Sequence, residues 1–228
     1  MRRGLEKIQE ESNVAGGGGE VYEEFSMLEF AENFFNDHEK CSPQNTIVGT
    51  LKRRGSKANL MDIVSKEDMV RHFKGSAIPT SHIHLYDPQN VNVAVRIFRE
   101  VLRYSRGELK TAEAEVAAIQ GVVRHGIEAE ELRDEIYVQC VRQLTGNPCE
   151  EQTQRLWLLL CLVVVAFTPS KAFFKYFVSF LQSNRDAPDP VCQYVAWCLD
   201  NAKHIQVATR KNPPSTVEIT VSAIAAII

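Results

Sequence analysis

Twelve consecutive apolar residues, 156–167 (LWLLLCLVVVAF), constrain this chain more than anything else in it. A helix that is apolar all round has no face to turn to water, so other elements must wrap it on several sides. The run is shorter than the roughly 20 apolar residues a bilayer crossing requires. No transmembrane segment is expected, and the run reads as the centre of a folded domain.

Its neighbours in sequence are helices with clear punctuation. Before it, Leu132, Ile136, Cys140, Val141 and Leu144 recur at intervals suited to one helical face. That helix should stop at Thr145-Gly146-Asn147-Pro148, where glycine can take a positive φ and proline forbids continuation. The apolar helix should begin near Glu150. After it, Thr168 is the expected N-cap and Pro169 the first residue of a third helix. Phe173, Phe174, Phe177, Phe180 and Leu181 make the buried face expected there, with Lys171 and Lys175 turned outward.

These same residues carry a resemblance. Leu132-Arg133-Asp134-Glu135-Ile136-Tyr137-Val138-Gln139, then Gln143-Leu144-Thr145 and Asn147-Pro148, are similar to the myosin tail homology 4 domain. So are Arg155-Leu156-Trp157, Phe167-Thr168-Pro169-Ser170 and residues 173–181. The similarity extends over roughly residues 22–216. It implies an all-α, compact multi-helix bundle without catalytic activity or cofactor. It also implies partners: tubulin in microtubules, cargo or adaptor proteins, and a FERM domain in the same parent chain. The expected setting is the cytoplasm and its cytoskeleton, in the tail of an unconventional myosin. The alternative parent is a pleckstrin-homology adaptor or GTPase-activating protein in which the domain is a regulatory scaffold. One departure is the turn Tyr104-Ser105-Arg106-Gly107-Glu108, a residue longer than is usual in the family.

The rest of the chain divides around that domain. Residues 1–20 read as a flexible leader hinged on Gly16–Gly19. Residues 21–216 are the domain itself. Helical patterns cover 21–35, 90–103, 109–127 and a segment starting at Asp189-Pro190, with a short helix capped by Ser65. The last of these should bury Val191, Tyr194, Val195, Cys198, Leu199 and Ala202. Val217-Glu218-Ile219-Thr220-Val221 alternates with period two and is rich in β-branched residues, which predicts a short strand. By the resemblance, 217–228 is the truncated start of a following FERM-like module.

Charge and cysteine content narrow the function classes. The net charge is −3, but residues 1–40 hold ten acids and four bases, −6, leaving +3 for the remainder. That is too weak to imply nucleic-acid binding. Six cysteines form no CxxC pair, and most fall in helical patterns, so a reducing compartment without disulfides is expected. Met1-Arg2-Arg3 is not followed by an apolar secretory segment.

No catalytic, cofactor or metal site is expected. His82 and His84 alternate but lack ligands at metal spacing, and read as ordinary surface or half-buried histidines. Asp134 and Glu135 point about 100° apart on a helix, so they share no face; one is expected to pair with Arg133 or Arg142. An enzyme would need a polar cleft with strongly perturbed residues, and none is expected. The partner-binding candidates are basic. Lys52, Arg53, Arg54 and Lys57 put four positive charges in six residues, too costly to bury. Ser56 within them is a candidate phosphorylation site. Lys171, Lys175, Lys203, Arg210 and Lys211 are the second set.

Overall fold

A computed structural model describes residues 25–39, 63–204 and 209–225, and helices dominate it. They are α1 (Met27–Phe34), α2 (Lys66–Met69), α3 (Pro88–Ser105), α4 (Ala112–Glu128), α5 (Leu132–Leu144), α6 (Glu150–Val164), α7 (Lys171–Ser183), α8 (Val191–His204) and α9 (Thr216–Ala225). Among the described residues the extended pairing consists of two isolated antiparallel bridges, Phe35 with Ile83 and Glu39 with Ile63. The all-α expectation holds.

Local chemistry explains most boundaries. Ser65 and Asp87 accept the N–H groups of Asp68 and Gln89, opening α2 and α3, and Pro88 supplies the first helical residue of α3. Gly107 and Gly146 take positive φ, 65° and 69°, where α3 and α5 turn out of their helices. The longer turn at 104–108 is therefore closed by its glycine.

Three expectations require correction. The N-cap of α7 is Ser170, not Thr168; its hydroxyl accepts from the Phe173 N–H, and Pro169 stays outside the helix. Tyr176 replaces Phe174 on the buried face, which runs Phe173, Tyr176, Phe177 and Leu181. The strand predicted at 217–221 is instead part of helix α9. Ser215 and Glu218 form a capping box: the Ser215 hydroxyl accepts the Glu218 N–H, and the Glu218 carboxylate accepts the Ser215 N–H. Ile219 is buried at 5% exposure, and α9 packs on α6. The cap and this contact override a weak β-branched preference.

The centre is a pair of helices. The apolar run is helical only to Val164; residues 165–167 turn away, and Phe167 is buried at their end. Helix α6 packs on α8, α5, α3, α4 and α9. Helix α5 is its equal at the centre, buried at every position from Glu135 to Leu144 and touching α3, α4, α6 and α7. The Tyr137 hydroxyl donates to the Phe167 carbonyl at 2.8 Å, tying α5 to the turn after α6. Gly126 lets that turn approach α4: a Cβ there would lie 2.1 Å from Phe167 Cζ.

Candidate functional site

The polar residues of α5 build the most unusual part of the molecule. Glu135, Gln139 and Arg142 are four and three residues apart, which places them on one helical face. That face is buried: Glu135 and Gln139 are at 0% exposure and Arg142 at 4%. Extended backbone after Pro79 crosses it. Glu135 Oε1 accepts from the His82 N–H at 3.0 Å, His82 Nδ1 at 2.8 Å and Gln139 Nε2 at 2.9 Å. Its Oε2 accepts from the Ile83 N–H at 2.9 Å. Gln139 also donates to the Ala94 carbonyl of α3.

Arg142 sets the protonation of His82. Its Nη1 lies 2.7 Å from His82 Nε2, and arginine can only donate. Nε2 therefore carries the lone pair, Nδ1–H donates to Glu135, and the imidazole is neutral. Burial pushes the His82 pKa down against the pull of Glu135. Burial pushes the Glu135 carboxyl up, but His82 and the two backbone N–H groups draw it below its ordinary value. His38 donates through Nε2 to the Ser81 carbonyl at 3.0 Å, and burial holds it neutral down to about 4. His82 offers no free base, since both of its ring nitrogens are engaged. It braces the 78–85 segment against α5.

Arg142 continues from this brace to a cleft of about 880 Å³, whose walls include Arg71, Phe73, Lys74, Ile78 and Pro79. Its guanidinium lies 4.8 Å from the Phe73 ring and 5.8 Å from the Phe98 ring. Burial lowers its pKa to about 10. The expectation that no cleft with strongly perturbed residues exists is thus overturned; burial is the cause of the perturbation.

His82 is fully buried rather than surface or half-buried, while His84 is exposed beside Tyr86. Glu135 pairs with His82 rather than with Arg133 or Arg142. Asp134 accepts the Ser170 N–H at 2.7 Å, and burial raises its pKa. Among the described residues, no cluster of three or more His, Cys, Asp or Glu could hold a metal ion. Five described cysteines, Cys140, Cys149, Cys161, Cys192 and Cys198, are free thiols.

The basic candidates do not form one site. Lys52, Arg53, Arg54, Ser56 and Lys57 lie outside the described residues. Lys171 and Lys175 are exposed on α7, the latter 4.2 Å from the Phe25 ring centre. Lys203 belongs to the last turn of α8. Arg210 is engaged, its Nη2 2.7 Å from Glu218, and Lys211 beside it is exposed. The signal for the buried network was present only as the spacing of Glu135, Gln139 and Arg142, which a solvent-facing stripe shares.

Comparison with known proteins follows the helices. The MyTH4 domain model matches residues 119–221. The chain is 30% identical over 135 residues to the myosin-I heavy chain of Dictyostelium discoideum, covering 58% of this chain and 6% of that one. It is 26% identical over 199 residues to human unconventional myosin-XV, covering 86% and 5% respectively. Its structure is similar to a mutant form of the MyTH4-FERM MF1 domain of Dictyostelium discoideum myosin VII. The TM-score there is 0.69 at 22% identity, over 92% of this chain and 40% of that one. The human myosin 7b C-terminal MyTH4-FERM domain, in complex with the harmonin-a PDZ3 domain, gives 0.60 at 20% identity, over 92% and 38%. At these identities the structural likeness concerns the fold. No helix among the described residues is long and apolar enough to cross a membrane.

Proposed function

We propose, on the premise of the MyTH4 domain match at residues 119–221, that this chain is a non-catalytic interaction module of an unconventional-myosin-like tail. The observation that carries the reading is the matched stretch 119–221, which contains the central helix pair α5 and α6. We assign the leader to 1–20 and the domain to 21–225, because α9 packs on α6 and the matched stretch runs to residue 221; the expected boundary at 216 moves accordingly, and a FERM domain of the same parent chain would follow α9. The module works in the cytoplasm, on the cytoskeleton, holding protein cargo or microtubules. The two myosins compared are far longer than this chain, and the human myosin 7b domain was solved with a partner protein bound. The engaged nitrogens of His82 support a bracing role over a catalytic one.

The basic run Lys52, Arg53, Arg54 and Lys57 is the proposed microtubule contact, since tubulin tails are acidic. The described residues nearest its two ends, Glu39 and Ile63, pair with each other. Exposed charges act over about 8 Å at physiological salt, so binding should fade as salt rises. A phosphate on Ser56 adds about −1.5 to −2 charges and should weaken it further. Microtubule cosedimentation at two salt concentrations tests this. The variant Lys52→Ala, Arg53→Ala, Arg54→Ala, Lys57→Ala should pellet far less than the parent at low salt. Equal pelleting overturns the assignment and directs attention to Lys171, Lys175, Lys203, Arg210 and Lys211.

A further inference from the structure

We propose that the cleft beside Arg142 binds a carboxylate group of a partner polypeptide, with the buried guanidinium as its charged floor and the Ile78–Pro79 wall receiving an adjoining apolar side chain.

Arg142 is held in one orientation. Nε donates to the Arg71 carbonyl at 3.1 Å and Nη1 to His82 at 2.7 Å. The Phe73 and Phe98 rings flank the group. The third nitrogen, Nη2, has no hydrogen-bond acceptor among the described residues, and Arg142 lines the open cleft. Water at this edge can be replaced by an anion, whose charge-assisted hydrogen bond to the guanidinium is the stronger one. A planar carboxylate suits a guanidinium edge. The walls are fixed as well. Arg106 Nη2 donates to the Phe73 and Gly75 carbonyls at 3.2 and 2.7 Å, and the His72 N–H donates to the Thr145 carbonyl at 2.8 Å.

The lining selects the ligand. Arg71, Lys74 and Arg142 line the cleft together with Glu39 and Asp68, an excess of one positive charge, which balances a monoanion but not a phosphate dianion. Val64, Phe73, Ala77, Ile78 and Pro79 add apolar wall. The volume of about 880 Å³ far exceeds what a bare ion needs, and pockets of about 300–1,000 Å³ accommodate drug-sized molecules. A peptide satisfies both signs of charge: its carboxylate meets Arg142, and its backbone N–H groups meet the exposed Glu39 and Asp68. A free fatty or aromatic acid brings no N–H groups to these two acids.

The test is a nitrogen–proton correlation titration of the whole chain with N-acetyl-Leu-Leu bearing a free carboxylate. Its C-terminal amide, acetate and hexanoate serve as controls. The peptide acid should shift the Arg142 Nε–H and the amides of Phe73, Gly75 and Ala77 in a saturable way. The amide should bind roughly tenfold or more weakly, since a charge-assisted hydrogen bond is lost. Lys74→Glu, at an exposed position, should weaken the peptide acid severalfold while leaving the melting temperature unchanged. Equal binding of acid and amide, shifts centred elsewhere, no saturable shift, or an indifferent Lys74→Glu each overturn the proposal. Hexanoate matching the peptide overturns the polypeptide assignment in favour of a small apolar acid. These readouts concern the cleft alone, so they stand whatever the cosedimentation result.

Discussion

Helix α5 has two buried faces that are held in opposite ways. On one, Tyr137 packs against Phe167, Phe173 and Phe177 at ring separations of 6.0, 6.1 and 4.8 Å. On the other, Glu135, Gln139 and Arg142 exchange hydrogen bonds with His82, Ile83, Ala94 and Arg71. Both exclude water, but they discriminate differently. Apolar burial is roughly proportional to area and has no direction, so it tolerates small shifts of one helix over another. The polar face accepts one register, because a displaced donor or acceptor would be buried without a partner. The apolar face thus supplies most of the driving force. The polar face fixes where the 78–85 segment lies, and with it the wall of the cleft.

Mutations should separate the two faces. Glu135→Ala is expected to have the largest effect. Four donors lose their acceptor at about 1–3 kcal/mol each, so the loss should be about 5 kcal/mol or more, or the chain should fail to fold. Denaturant unfolding of the variant measures it; a loss near 1 kcal/mol would mean that the face is hydrated and carries little. Trp157→Ala on α6 comes next. Trp157 is 1% exposed and stacks on Phe180 at 5.7 Å, and truncating such a residue costs about 3–5 kcal/mol.

Acid sharpens the contrast further. Burial lowers the folded-state pKa of His38 from 6.5 to about 4. The unfolded chain therefore takes up the proton first, and stability falls as pH drops from 6.5 toward 4, then levels off. The expected loss is about 2 kcal/mol after allowance for partial hydration. His82 is shifted in the same direction and adds to it. His38→Gln should flatten the stability–pH curve, whereas Trp157→Ala should lower it in parallel; a parallel shift for both would remove His38 as the cause. Gly126→Ala should be the mildest. Its Cβ would press on Phe167, an overpacking cost of about 1–3 kcal/mol. The helical gain of alanine over glycine, about 1 kcal/mol, offsets part of this, leaving a net loss of about 1 kcal/mol. A stabilised variant would show that the Phe167 ring moves aside freely.

What the sequence determined by itself was what local chemistry controls. The end of α5 at Thr145-Gly146, the helical pattern of α3 over 90–103, the Ser65 cap of α2 and the apolar identity of α6 all depend on neighbours within about one turn, the range of caps and helical periodicity. Where two local signals competed, the reading failed. Thr168 and Ser170 are both good N-caps, and the second was taken. At residues 217–221 a capping box and β-branched alternation disagree, and packing of Ile219 on the bundle decided for helix. Only the tertiary structure decided that the polar stripe of α5 is buried. Glu135 and His82 are 53 residues apart, and no local preference distinguishes a carboxylate facing water from one facing a histidine brought to it by the fold. The central pair, the neutral state of His82 and the cleft beneath Arg142 all follow from that one long-range meeting, because hydrogen-bond partners are assigned by position in space.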